Sequence, residues 1–122
     1  MPIELSRTFE FSAAHALPAA GEGHKCRAMH GHNFTLEVTV RGEPDPQRGW
    51  VIDFGEIKRI VAPVLNELDH ALLNEVAGLE NPTSENMLVW LWERLRPALP
   101  GLARLTLSET PGTRCTYWGE TQ

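Results

Sequence analysis

With 122 residues, 42% of them hydrophobic, the chain carries enough apolar mass for one core, and residues 1–122 are expected to form one domain. A net charge of −5, from 11 basic and 16 acidic residues, excludes a broad nucleic-acid surface, because phosphate-backbone binding rests on clustered Lys and Arg. No run of about 18 apolar residues occurs and the N-terminus has neither a basic head nor a continuous apolar stretch, so no membrane span or signal peptide is expected and the protein is expected in the cytoplasm.

In chain order the pattern is strand, strand, helix, helix, strand, strand. Ile3, Leu5, Phe9 and Phe11 share one parity, with Glu4, Ser6, Thr8 and Glu10 on the other, which suits a sheet with one buried face. Arg7 breaks the apolar side. Phe34, Leu36, Val38 and Val40 repeat the pattern against Thr35, Glu37, Thr39 and Arg41, and the same parity continued backwards reaches His32 and His30. A loop rich in Gly and Pro follows. Asp53 then reads as an N-cap with Glu56 at the third helical position, ahead of Ile57, Ile60, Val61, Val64, Leu65 and Leu68 at helical spacing. Pro63 inside that stripe predicts a kink or a break. A second helix is predicted after Pro82, capped by Thr83 or Ser84, with Leu88, Leu91, Trp92 and Leu95 as its stripe and Pro97 and Pro100 as its end. The segments 103–109 and 113–118 read as the last two strands. Trp90, Trp92 and Trp118 are candidates for core or interface. This order predicts an α+β fold, ββααββ, with a four-stranded antiparallel sheet and two helices on one face.

The chemistry-bearing residues concentrate in HKCRAMHGH, residues 24 to 32. His30 and His32 on an extended segment project to the same side, roughly 6.6 Å apart along the strand at about 3.3 Å per residue. His15, at the end of FSAAH, lies on the parity of Phe9 and Phe11 and is the candidate third ligand. Three neutral imidazoles with an open fourth position form the donor set of a catalytic zinc site. A structural zinc closed by Cys26 is the alternative, although such sites usually recruit several cysteines. If Cys26 is not a ligand, it is a free thiol beside the metal and Lys25, a candidate base or nucleophile. Cys115, in mid-strand and far from Cys26, is expected to be a buried thiol without chemistry. His24, Lys25 and Arg27 make one local basic spot suited to a small anion.

Two further features lie outside this loop. Asp69 and His70 follow the first helix where its apolar stripe stops, and an acid beside an imidazole can relay protons for a thiol. Glu109 takes the inward parity after Leu105 and Leu107, where an unpaired carboxylate is costly. It predicts either an ion pair with an internal Arg or a ligand with an amidine-like edge.

FSAAH, HKCRAMHGH, the LDH of residues 68 to 70, the ENPTSEN of residues 80 to 86 and the SET of residues 108 to 110 occur in that order across nearly the whole chain. Together they resemble the 6-pyruvoyl-tetrahydropterin synthase superfamily. The spacing Cys26-x-x-x-His30-x-His32 resembles its bacterial 6-carboxy-5,6,7,8-tetrahydropterin synthase branch, from queuosine biosynthesis; in the pyruvoyl enzymes the cysteine stands further ahead of HGH. The resemblance implies the T-fold and a zinc-dependent lyase that converts 7,8-dihydroneopterin triphosphate to 6-carboxy-5,6,7,8-tetrahydropterin, releasing acetaldehyde and triphosphate. It implies zinc on His15, His30 and His32, Cys26 as base, Asp69 and His70 as a proton relay, and Glu109 on the pterin's amino-pyrimidine edge. It further implies Thr83 and Ser84 lining the pterin pocket, and a homohexamer made of two trimers. His24, Lys25 and Arg27 are assigned to the triphosphate on charge alone. A pyruvoyl synthase and a non-catalytic pterin-binding protein on the same fold are the alternatives.

Overall fold

The structure, a computed structural model, describes residues 2–119; the ends of the expected 1–122 unit, Met1 and residues 120–122, lie outside the described residues. Strands β1 (Ile3–His15), β2 (His30–Gly42), β3 (Leu102–Ser108) and β4 (Cys115–Tyr117) form one sheet in the order β1-β2-β3-β4, antiparallel throughout. Helices α1 (Phe54–Asn66) and α2 (Ser84–Leu95) stand between β2 and β3 in sequence, and short 3-10 turns occupy Lys25–Arg27 and Leu73–Glu75.

The apolar parities meet in one core. Phe11, Phe34, Leu36, Val38, Leu105 and Leu107 face Ile57, Val61 and Leu65 of α1 and Met87, Leu88, Leu91 and Leu95 of α2. Phe11 and Phe34 stack across the two long strands with ring centroids 5.0 Å apart, a pairing that adds to simple area burial. Ile3 departs from its parity: it lies at the strand's first residue and is exposed. Arg7 is accommodated on the apolar side because its guanidinium leaves the core, donating to the Phe54 carbonyl at 2.9 Å over the Phe9 ring. Thr39, expected to face outward, is fully buried beside a bulge in the β2–β3 ladder and is satisfied by the Ser6 hydroxyl at 2.7 Å.

The caps fall where the sequence places them. The Asp53 carboxylate accepts from the Gly55 N–H, and the Thr83 hydroxyl accepts from the Asn86 N–H. Glu56 pairs with Arg59. Pro63 does not break α1, which runs on to Asn66; burial of Val61 and Leu65 on either side of it holds the last turn despite the missing N–H. The final strands are shorter than expected. β3 stops at Ser108, and β4 begins only at Cys115 because the Thr113 N–H turns back to the Thr110 carbonyl. Trp90 is core, Trp92 is half-buried, and Trp118 is exposed.

Candidate metal centre and substrate site

The ladder between β1 and β2 runs from Ile3 opposite Gly42 to His15 opposite His30, with Ala13 opposite His32. An antiparallel register therefore sets His15 directly across from His30 and diagonally from His32, on one face. Ring centroids are 4.6 Å apart for His15 and His30, 5.3 Å for His15 and His32, and 4.9 Å for His30 and His32. One nitrogen from each of these residues lies within 4.8 Å of the other two. The Phe34 ring closes the cluster from the core side, 5.6 Å from His15 and 5.5 Å from His32.

The ring nitrogens are divided between backbone and cluster. Nδ1 of His15 faces the Pro82 carbonyl and Nδ1 of His30 the Ala28 carbonyl, each at 2.8 Å. A carbonyl oxygen only accepts, so Nδ1 carries the proton and Nε2 keeps its lone pair. Nε2 of His15 and of His32 is buried with no hydrogen-bond partner. Buried nitrogens left bare are costly unless something binds them. A divalent metal taken by neutral imidazoles fits these orphaned atoms, and the carbonyls behind His15 and His30 supply the outer support that metal-binding histidines generally have. Burial holds the His15 pKa below its usual value, offset by the Pro82 carbonyl, which keeps the ring in the neutral form a metal requires.

Glu109 follows β3 and turns its carboxylate toward this cluster. Oε1 accepts from the Ser84 hydroxyl at 2.9 Å, and Oε2 stands 3.7 Å from Nε2 of His32. Among the described residues no Arg pairs with it, so the first of the two sequence expectations is set aside: the carboxylate keeps acceptor capacity at the rim. Thr83 caps α2 while Ser84, one residue on, reaches Glu109. His32 and Glu109 both open onto a cleft of about 890 Å³, whose walls include Thr106, Ser108 and Arg114.

His70 arrives from the other side. A second cleft of about 410 Å³ is lined by His70, His32, Gly31 and Ser12 among others. His70 has φ of 59°, a left-handed conformation uncommon for residues other than glycine, and its side chain is 82% exposed. The Asp69 carboxylate holds Nδ1 of His70 at 3.1 Å and accepts from the Ser12 N–H at 3.0 Å; that backbone bond, followed by His70, holds its pKa below the usual carboxylate range.

The remaining candidates sit apart. Cys26 lies half-buried in the 3-10 turn Lys25–Arg27 and is not among the grouped metal donors. His24, Lys25 and Arg27 are exposed; Nδ1 of His24 accepts from the Cys26 N–H, and the Arg27 guanidinium faces the Pro18 and Ala20 carbonyls. Cys115 is half-buried rather than buried, and burial, followed by Glu85 and Glu109, pushes its thiol up, which disfavours thiolate chemistry there. The Pro82 carbonyl, which meets the His15 ring, and Asn74, which pairs with the Ala16 backbone, escape a reading of the sequence, since a carbonyl acceptor or a lone amide leaves no pattern.

The family model for 6-pyruvoyl tetrahydropterin synthase matches residues 4–120. The chain belongs to this family. A dihydroneopterin monophosphate aldolase of Pyrococcus furiosus is 44% identical over 102 residues, 81% of this chain and 82% of that protein. A 6-carboxy-5,6,7,8-tetrahydropterin synthase of Synechocystis is 39% identical over 118 residues, 92% of this chain and 90% of that protein. The solved 6-pyruvoyl tetrahydropterin synthase of Caenorhabditis elegans superposes with a TM-score of 0.90 at 32% identity, covering 98% of this chain and 96% of that one. The sheet and helices are thus those of the T-fold. The family resemblance carried by the histidine and LDH motifs is borne out, and pterin-processing lyase chemistry is the common ground of these relatives. No helix among the described residues is long and apolar enough to cross a membrane.

Proposed function

We propose that the protein is a zinc-dependent 6-carboxy-5,6,7,8-tetrahydropterin synthase of queuosine and 7-deazapurine biosynthesis, acting in the cytoplasm. It converts 7,8-dihydroneopterin triphosphate and water to 6-carboxy-5,6,7,8-tetrahydropterin, acetaldehyde and triphosphate. The observation that carries the reading is the histidine cluster with two bare Nε2 atoms and a carboxylate, Glu109, at its rim.

His15, His30 and His32 hold the metal. Bound there, zinc supplies a Lewis acid for the hydroxyl oxygens of the substrate's side chain. Glu109 accepts paired hydrogen bonds from a ring N–H and the exocyclic amine of the pterin, and so orients the ring. The start of α2, with Thr83 and Ser84, lines the pterin pocket. Cys26 takes a proton from the side-chain carbon; His70, whose Nδ1 is engaged by Asp69, moves a proton at Nε2. His24, Lys25 and Arg27 meet the triphosphate. The edge of β1 before Ser12 and the edge of β4, both unpaired among the described residues, suit association into trimers that pair as a homohexamer, a mass that native mass spectrometry would report.

A second reading, a dihydroneopterin monophosphate aldolase, is favoured by the 44% identical relative. Mass spectrometry of products from each substrate separates the readings. Carboxy product with acetaldehyde is expected from the triphosphate. A pyruvoyl product would make the protein a pyruvoyl synthase, and cleavage of the monophosphate to hydroxymethyl-dihydropterin and glycolaldehyde phosphate would make it an aldolase. Both substrates bound but unchanged would make it a pterin-binding protein.

A further inference from the structure

The end of β1 that carries His15 is the sheet's free edge at this point, and segment 69–74 is laid along it. The Ser12 N–H goes to Asp69, the Ala14 N–H to the Ala71 carbonyl at 3.1 Å, and Ala14 forms a parallel bridge with Leu72. Beyond Leu72 this backbone pairing stops, because residues Leu73–Glu75 turn into a 3-10 helix. At that point a side chain takes over. The Asn74 carboxamide accepts from the Ala16 N–H at 2.9 Å and donates to the Ala16 carbonyl at 2.8 Å, the two-bond pattern a peptide of a neighbouring strand would make. The same amide nitrogen lies 3.4 Å from the Glu80 carbonyl, two residues before the Pro82 carbonyl that receives Nδ1 of His15. One half-buried amide thus ties together the backbone that carries His15 and the segment that orients its ring.

We propose that Asn74 is a positioning residue for the metal centre: by pairing with both backbone groups of Ala16 it fixes the direction in which the His15 imidazole enters the cluster. The proposal rests on the metal reading of His15, His30 and His32. Among the described residues, His15 is the cluster member drawn from β1, and its ring is fully buried; a change in backbone direction at Ala16 must move that ring against Phe34 or away from the other two imidazoles. Outer-shell partners of metal-binding histidines typically alter metal affinity by 10–100-fold when replaced.

The test measures zinc affinity of the full chain by competition with a chromophoric chelator, together with the visible spectrum of the cobalt-substituted protein, which reports ligand geometry. Asn74→Ala and Asn74→Asp are compared with Val61→Ala, a core truncation in α1, a helix that contributes no member of the cluster. Asn74→Asp keeps the shape and the acceptor but sets a carboxylate oxygen against the Ala16 carbonyl, so it keeps the test available if Asn74→Ala does not fold. Both Asn74 variants should bind zinc about 10–100-fold more weakly and show shifted cobalt bands, while Val61→Ala lowers the melting temperature with zinc affinity unchanged. Zinc affinity and cobalt spectrum unaltered in a folded Asn74 variant, with zinc lost in His15→Ala, would overturn this role alone. Zinc undiminished in His15→Ala would overturn the metal reading and this role with it.

Discussion

The two segments richest in candidate chemistry are built on opposite terms. At the paired ends of β1 and β2, His15, His30 and His32 are fixed by ladder register, by carbonyls behind His15 and His30, and by an aromatic floor. In the turn Lys25–Arg27 the flanking His24, Lys25 and Arg27 are exposed, and among the described residues the hydrogen bonds of the turn stay within residues 17 to 28. The first arrangement suits a metal, which needs donors preset to a fraction of an ångström. The second suits groups that meet a substrate's flexible phosphates and side chain, where the final geometry is completed on binding. Changes in the first region should therefore remove metal and activity together, and changes in the second should separate them.

The largest effect is expected at His32. His32→Ala removes a donor and should empty the site, with zinc at background in elemental analysis and no detectable turnover. Zinc retained at one per chain would end the ligand assignment. Cys26→Ala should keep zinc and substrate binding while losing turnover by about 10²–10⁴-fold, the usual worth of a positioned base. If zinc and activity vanish together, Cys26 is a fourth ligand and the contrast between the two regions fails at that residue.

Glu109→Gln sharpens the boundary between them, because Glu109 touches the cluster through His32 and faces the cleft. It preserves size but presents a donor to a donor, which should weaken binding of an unreactive pterin by about 2–4 kcal/mol in calorimetry. Normal affinity with normal zinc would confine the carboxylate to Ser84 and His32. The smallest effect concerns stability in acid. The Asp69 carboxyl is held below its usual pKa, so its contribution is complete above the unfolded value of about 3.9 and is lost as pH falls through the folded one. Asp69→Asn should therefore trail the unaltered protein in chemical unfolding at about pH 5, and the gap should narrow as the pH falls from there towards the folded-state value. Parallel curves across that range would show that the bond to the Ser12 N–H does not depend on charge.

The strands that matter most were legible because their signal is strictly periodic: Phe9, Phe11 and His15 share a parity, as do His30, His32 and Phe34, and burial of the phenylalanines brings the histidines along. The parity alone did not reveal that His15 stands opposite His30; that is set by register over the full length of the ladder. Pro63 misled in its stronger form, since local propensity yields to tertiary burial of Val61 and Leu65. The last strand is shorter than its sequence suggests, because Thr113 and Arg114 have ordinary strand chemistry and only the turn at Thr110 removes them. What supports the site, the Pro82 carbonyl and the Asn74 amide, was invisible for a plainer reason: every residue has a carbonyl, and which one faces an imidazole is decided by the fold.

The left-handed backbone at His70 has a consequence for selection experiments on this chain. An imidazole there carries a steric cost of about 1–2 kcal/mol that glycine would not. A screen that rewards only heat resistance should accept Gly or Asn at position 70, and a screen that rewards product should restore His. Survivors of the two screens would diverge at this position while agreeing throughout the core, which would mark His70 as a residue held for chemistry at the expense of stability.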